Sequence, residues 1–151
     1  MDAELRELYQ QVILDHNKSP RNFKKLETAN HFAEGYNPLC GDKIDIYLLV
    51  ENDIVKDISF QGNGCAISKA SASLMSSIVK GKSVDETKIL FEQFHDLITG
   101  KTDDSNAMET LGKLSVFAGV KEFPSRVKCA SLAWHTMSAA LKNEAQKVTT
   151  E

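Results

Sequence analysis

Ile44-Asp45-Ile46-Tyr47-Leu48-Leu49-Val50, followed after Asn52-Asp53 by Ile54-Val55-Lys56-Asp57-Ile58-Ser59-Phe60-Gln61, decides the class of fold. In the first run Ile44, Ile46, Leu48 and Val50 alternate with Asp45, Tyr47 and Leu49, the period of a strand with one buried face. Asn52-Asp53 supplies a tight turn, and the second run returns with Ile58 and Phe60 on one face. Upstream, His31 to Tyr36 reads as a third strand. Downstream the period changes at Cys65: Ile67, Ala70, Leu74 and Ile78 form a helical stripe whose Ala and Ser neighbours allow close packing, and Gly81 ends it. Ser83 and Glu86 have capping-box spacing before a helix carrying Val84, Leu90, Phe91, Phe94 and Leu97, which stops at Gly100. Lys101 to Ser105 reads as a polar loop. Asn106 with Glu109 repeats the capping-box spacing and opens a short helix through Met108, Leu111 and Leu114. Pro124 can start the last helix, whose face includes Ala130, Ala133, Met137, Ala140 and Leu141.

At the other end, Leu5, Leu8, Tyr9, Val12 and Ile13 fall on one helical stripe, with Asp2 at the N-cap position and Asn17, Ser19 and Pro20 closing the element. A polar connection, Arg21 to Lys25, follows. Strands come first and most helices later. The expected class is therefore α+β, a small antiparallel three-stranded sheet with helices packed on one face, in a single domain over residues 1–151. A net charge of −3, from 18 basic and 21 acidic side chains, argues against nucleic-acid binding by bulk electrostatics. Apolar runs such as Tyr47 to Val50 are too short to span a bilayer. Met1-Asp2-Ala3-Glu4 does not read as a secretory leader, and three cysteines suit a reducing compartment better than a disulfide framework. The expected location is cytoplasmic.

Two of the three cysteines sit in glycine-containing loops at element boundaries, where chemistry is commonly placed. Cys40 lies in Pro38-Leu39-Cys40-Gly41-Asp42, where Gly41 allows a bend that brings its thiol and the Asp42 carboxylate toward one point. Cys65 follows Gly62-Asn63-Gly64, a turn feeding a helix, and the positive end of that helix favours thiolate. Cys129 lies in the first turns of the last helix, three residues after Arg126, whose charge could stabilise a thiolate or a persulfide anion. Each has a plain structural reading beside the chemical one. Cys129 beside Ala130 and Ala133 reads equally as a small buried hydrophobe, Gly62-Asn63-Gly64 as a connector, and Asp42 as a solvated turn residue. Paired C-x-x-C knuckles are absent, so spacing alone does not indicate zinc.

Four blocks carry a resemblance: Asp15-His16-Asn17-Lys18-Ser19-Pro20-Arg21-Asn22, Asn37-Pro38-Leu39-Cys40-Gly41-Asp42, Gly64-Cys65-Ala66-Ile67-Ser68 and Val127-Lys128-Cys129-Ala130. In this order they resemble the signature blocks of the IscU/NifU-N family of iron–sulfur cluster assembly scaffolds, with an IscU/SufE-like fold, over essentially the whole chain. The long stretch between the second and third cysteines, and Lys128 where IscU-type scaffolds carry histidine, resemble the SufU branch. The resemblance implies a metal centre of Cys40, Asp42, Cys65 and Cys129, with Zn²⁺ as cofactor or, transiently, iron or a [2Fe–2S] cluster. Three thiolates and one carboxylate are an acceptable zinc set, and their charge calls for cations such as Arg126 and Lys128 at the rim. Such a site would stabilise the fold by about 10 kcal/mol or more.

The function this implies is zinc-dependent sulfur transfer, in which Cys40 accepts sulfur from the persulfide of a SufS-type cysteine desulfurase. Cys40, Asp42 and Arg126 are the expected catalytic set, and downstream iron–sulfur assembly proteins are further expected partners. A zinc-bound thiolate is screened, so a group from the desulfurase, a histidine, would have to replace Cys40 on the metal. A protonated lysine is a poor ligand, which weighs against a passive [2Fe–2S] scaffold, the alternative function. A third reading is a partner-binding module with purely structural zinc. His16 reads as helix capping or packing, His31, His95 and His135 as surface or core, Trp134 as packing, and Asp103-Asp104 as a solvated loop. The segment Lys101 to Val120, the polar loop and the short helix after it, reads equally as plain structure or as a docking surface for the desulfurase.

Overall fold

The Asn52-Asp53 turn holds both residues at positive φ, 53° and 61°, which folds strand β2 (Asp42–Glu51) directly back onto β3 (Ile54–Asn63). The computed structural model describes residues 3–102, 109–142 and 148–149. Strand β1 (His31–Asn37) pairs antiparallel with the other side of β2, in a register running from His31↔Leu48 to Asn37↔Asp42. The three expected strands thus form an antiparallel meander. A two-residue strand that alternation could not reveal, β4 (Val148–Thr149), runs parallel beside β1 and gives the sheet order β3-β2-β1-β4.

Ile44, Ile46 and Leu48 of β2 and Ile58 and Phe60 of β3 are completely buried, and the alternating residues between them face the other way. Helices α1 (Ala3–Lys18), α2 (Ala66–Val79), α3 (Val84–Ile98) and α4 (Pro124–Leu141) follow the expected stripes, and α4 and α2 pack against the sheet. The opposite sheet face leaves Phe32 and Tyr36 exposed. The Ser83–Glu86 capping box is formed in both directions, so the first turn of α3 has its orphan amides satisfied. Trp134 packs as expected: it is fully buried, stacks on Phe94 at 4.6 Å between ring centroids, and donates to Ser71 Oγ at 3.1 Å.

Three expectations differ. Leu8, on the expected apolar stripe of α1, is 54% exposed, because α1 buries the narrower line of Tyr9, Ile13 and His16, with Leu5 and Val12 partly buried beside it. Gly62-Asn63 is not a turn: β3 continues through Asn63, paired to Lys43 and Ile44, and passes almost directly into α2. Leu111 and Leu114 are buried as expected, but from Gly112 the chain forms a 3₁₀ segment (Gly112–Glu122) rather than an α-helix. Asp2, Asp103, Asp104, Ser105, Asn106 and Met108 lie outside the described residues.

Helix α1 is tied to α2 through a polar contact. His16 Nδ1 lies 2.7 Å from Ser73 Oγ, which also accepts the Arg21 N–H at 2.8 Å. Burial pushes the His16 imidazole below its ordinary 6.5, and the Arg21 charge adds to this. The unfolded chain therefore binds the proton more readily than the folded one, and stability falls as pH drops below 6.5. Chemical denaturation across that range should show a steeper acid loss in the wild type than in His16→Asn, which keeps a polar group facing Ser73 and has no proton to gain. Equal slopes would contradict the assignment.

Candidate metal centre

The β1–β2 connection is a four-residue loop, residues 38–41, closed by Gly41 N–H donating to Asn37 O at 2.9 Å. Gly41 has φ 72°, a left-handed conformation costly for other residues, so the bend expected from the sequence is present. The loop carries Cys40 exposed at its tip beside Leu39, which is 63% exposed. Immediately after it, at the start of β2, Asp42 is fully buried.

A buried carboxylate needs donors, and the start of α2 supplies them. Asp42 Oδ1 accepts the Cys65 N–H at 2.9 Å, and Asp42 Oδ2 accepts the Ser68 hydroxyl at 2.6 Å. The approach requires glycine at position 64, where a Cβ would come within 2.9 Å of Asp42 Oδ1. Cys65 is the N-cap of α2, with its thiol 3.9 Å from Asp42 Oδ2 and 3.6 Å from Ser68 Oγ. From α4, the buried Cys129 brings its sulfur to 3.6 Å from that of Cys40, and the Asn37 side-chain amide donates to it at 3.6 Å.

Three of the four residues expected from the sequence form one cluster, and the fourth, Cys65, borders it. Ligand atoms of Cys40, Asp42 and Cys129 lie within 4.8 Å of one another, and Cys65 adjoins the same carboxylate. The spacing suits a tetrahedral ion: zinc–sulfur bonds of about 2.3 Å place neighbouring sulfurs roughly 3.8 Å apart, close to the 3.6 Å observed. The neighbouring Cys129 thiol, joined by the Ser68 amide and hydroxyl, lowers the Cys65 thiol to about 6, against burial and the Asp42 charge. Cys129 is pushed up by the neighbouring Cys65 and by burial, so that it keeps its proton. A cation bound here would displace that proton and take the thiolates as ligands.

Arg126 does not join the sulfurs. Its guanidinium stacks over Phe123, 4.3 Å from the ring centroid, and lines a cleft of about 290 Å³ with Arg6, Tyr9, Ile67 and Val120. Among the described residues no hydrogen bond or ion pair links it to a thiol. A spacing of three residues on a helix fixed a shared side, and the aromatic ring of Phe123 drew the long side chain away. Lys128 is half-buried beside Cys129 in sequence. The residues missed by sequence reasoning are Asn37 and Ser68. Asn37 is paired across the hairpin with Asp42, and Ser68 lies one helical turn after Cys65, so both positions follow from register once the elements are placed.

The model of the NifU-like N-terminal domain matches residues 8–130. The chain belongs to this family. It is 39% identical over 143 residues, covering 95% of each chain, to a protein of Bacillus subtilis named zinc-dependent sulfurtransferase SufU. It is 38% identical to a Streptococcus pyogenes protein named iron–sulfur cluster assembly scaffold protein IscU, covering 95% of this chain and 88% of that one. A crystal structure from Fervidobacterium islandicum, described as a candidate assembly scaffold for the SUF system, superposes with a TM-score of 0.81 at 35% identity. It covers 90% of this chain and 98% of that one. The resemblance to the SufU branch is thus met in both sequence and fold. Among the described residues no helix is long and apolar enough to cross a membrane.

Ser68→Ala leaves all four candidate ligands in place but removes the hydroxyl that donates to Asp42 and adjoins the Cys65 thiol, and outer partners of metal ligands are typically worth roughly 10- to 100-fold in affinity. Competition with a zinc chelator should show a loss in that range, with the circular dichroism spectrum unchanged; unaltered affinity would mean Asp42 plays no part in binding. Chelating the metal from the wild type should also lower the melting temperature, since ligands gathered from three separate elements would lose their common link.

Proposed function

We propose that the chain is an iron–sulfur cluster assembly protein that accepts sulfur on Cys40 from the persulfide of a SufS-type cysteine desulfurase, with zinc held by Cys40, Asp42, Cys65 and Cys129. The observation that carries the reading is the division of exposure within the set. Asp42 and Cys129 are buried and Cys65 is half-buried, whereas Cys40 is exposed on a glycine-hinged loop. Bound zinc would keep the thiols ionised and hold the four side chains together. Asp42, Cys65 and Cys129 are anchored by strand and helix backbone; Cys40 is the member a partner can reach and move.

In the transfer itself the Cys40 thiolate attacks the terminal sulfur of the desulfurase persulfide. A bond forms between Cys40 Sγ and that sulfur, the partner's S–S bond breaks, and the desulfurase cysteine leaves as thiolate. The product is a persulfide on Cys40, with no net oxidation. Cys40 must first be released from the metal set, and a group from the desulfurase is the expected replacement. The exposed Leu39 and Phe123 give the partner apolar surface near the loop and the start of α4. The expected setting is the cytoplasm, with later iron–sulfur assembly proteins as recipients.

A second reading, a scaffold on which a [2Fe–2S] cluster is built, has the IscU names of several relatives in its favour. The donor set weighs against it. Lys128 precedes Cys129, and among the described residues no histidine belongs to the clustered ligands. His16 is committed to Ser73 and His31 to Ala140 O at 2.7 Å.

Desulfurase turnover measured with and without the protein separates these readings. Wild type should accelerate turnover and gain the mass of sulfur at Cys40, and Cys40→Ala should do neither while keeping its fold. Full stimulation by Cys40→Ala would exclude the acceptor role. An anaerobic reconstitution product that absorbs visible light and survives gel filtration would favour the scaffold.

A further inference from the structure

Away from the thiols, α3 and α4 bring a second set of potential ligands together. His95 of α3 and His135 of α4 face each other with ring centroids 6.0 Å apart and ring planes at 78°. The Phe91 ring stands edge-on to both, at 6.3 Å from His95 and 5.1 Å from His135. Phe91 in turn lies against the buried Trp134 at 6.1 Å, so the pair rests on a packed aromatic base. Both imidazoles are half-buried, and among the described residues neither ring has a hydrogen-bond partner. They border a cleft of about 270 Å³ whose remaining walls are Phe91, Glu92 and Asp96.

Among the described residues these two imidazoles have no protein partner, and neither is a buried unsatisfied group, so their nitrogens open to solvent in a cleft flanked by carboxylates. His16 and His31, by contrast, have a ring nitrogen committed to Ser73 and Ala140, whereas those of His95 and His135 remain free to take a ligand. We propose that His95 and His135 form a second divalent-cation site, with Glu92 as third ligand, for a borderline ion of the Zn²⁺ class. Neutral imidazole nitrogens and one carboxylate are a common ligand set for such ions, leaving further positions to water. Glu92 lies three residues before His95, one turn away on the same helix face, and is exposed, so its side chain can rotate toward the pair. That rotation is required, because among the described residues the only group of three or more such ligand atoms within 4.8 Å is that of Cys40, Asp42 and Cys129. Burial and the neighbouring His95 both push His135 below its ordinary value, which leaves it unprotonated and able to coordinate near neutral pH.

The site differs in chemistry from the thiol centre. Nitrogen and oxygen ligands with open water positions make a more exchangeable site than thiolates, suited to holding zinc loosely at the surface. The test is titration of the full-length protein, already loaded with one equivalent of zinc, with further Zn²⁺ followed by calorimetry and by histidine ring ¹H–¹⁵N resonances. A second equivalent should bind, with shifts confined to His95 and His135. His95→Gln and His135→Gln should each abolish it while retaining the first equivalent, which reports an intact fold and thiol centre. Glu92→Gln should weaken it with both imidazoles still responding. No second equivalent in the wild type, or one that persists in both histidine variants, would overturn the proposal. Failure of the first equivalent alone would count against the thiol centre and leave the histidine shifts to decide the second site.

Discussion

A carboxylate placed entirely out of solvent is the constraint around which this end of the molecule is organised. Removing Asp42 from water costs several kcal/mol unless donors replace the lost hydration. Two do so, the Cys65 amide and the Ser68 hydroxyl, and both come from the start of α2. The same pair of bonds therefore fixes how closely the helix abuts the β1–β2 hairpin and where the Cys65 sulfur comes to rest. Glycine at position 64 is the steric condition for this approach.

Serine serves a similar purpose along the rest of α2. Ser68, Ser71, Ser73 and Ser76 are all buried, and each meets a polar group on another segment: Asp42, the Ala130 carbonyl with the Trp134 indole, His16 with Arg21, and Asn22. Small side chains let α1, α4 and the hairpin approach one helix closely, while the hydroxyls satisfy groups that close packing would otherwise strand. The position of Cys129 on α4 relative to Cys65 on α2 is set partly by this seam. The centre is thus assembled by tertiary packing, with three elements each contributing at their ends.

The strands were legible because alternation of Ile44, Ile46 and Leu48 records burial on one face directly, and the Ser83–Glu86 box because capping is a local interaction. The four candidate ligands were legible as a set only through the family resemblance of the blocks around them, although adjacent glycines also singled out Cys40 and Cys65. What sequence could not provide was direction. Helical periodicity placed Leu8 on the apolar stripe, but the width of the buried strip depends on what lies opposite, and Leu8 faces solvent. Arg126 has the right spacing to Cys129, yet stacking on Phe123 governs where its charge resides. Two glycines around Asn63 suggested a turn, although pairing with β2 extends the strand through Gly62 and Asn63. Asn37 and Ser68 became visible only when register and helix phase brought them against Cys129 and Asp42. The partner of β1 at the sheet edge, β4, is two residues long and offers no period to detect.

The central claim is that three thiolates and one buried carboxylate share a single ion. X-ray absorption at the zinc edge, on protein loaded with one equivalent, tests it most directly. The account predicts a first shell of three sulfurs at about 2.3 Å and one oxygen at about 2.0–2.2 Å, with the oxygen contribution lost in Asp42→Ala. A shell containing imidazole nitrogen, or fewer than three sulfurs, would contradict it.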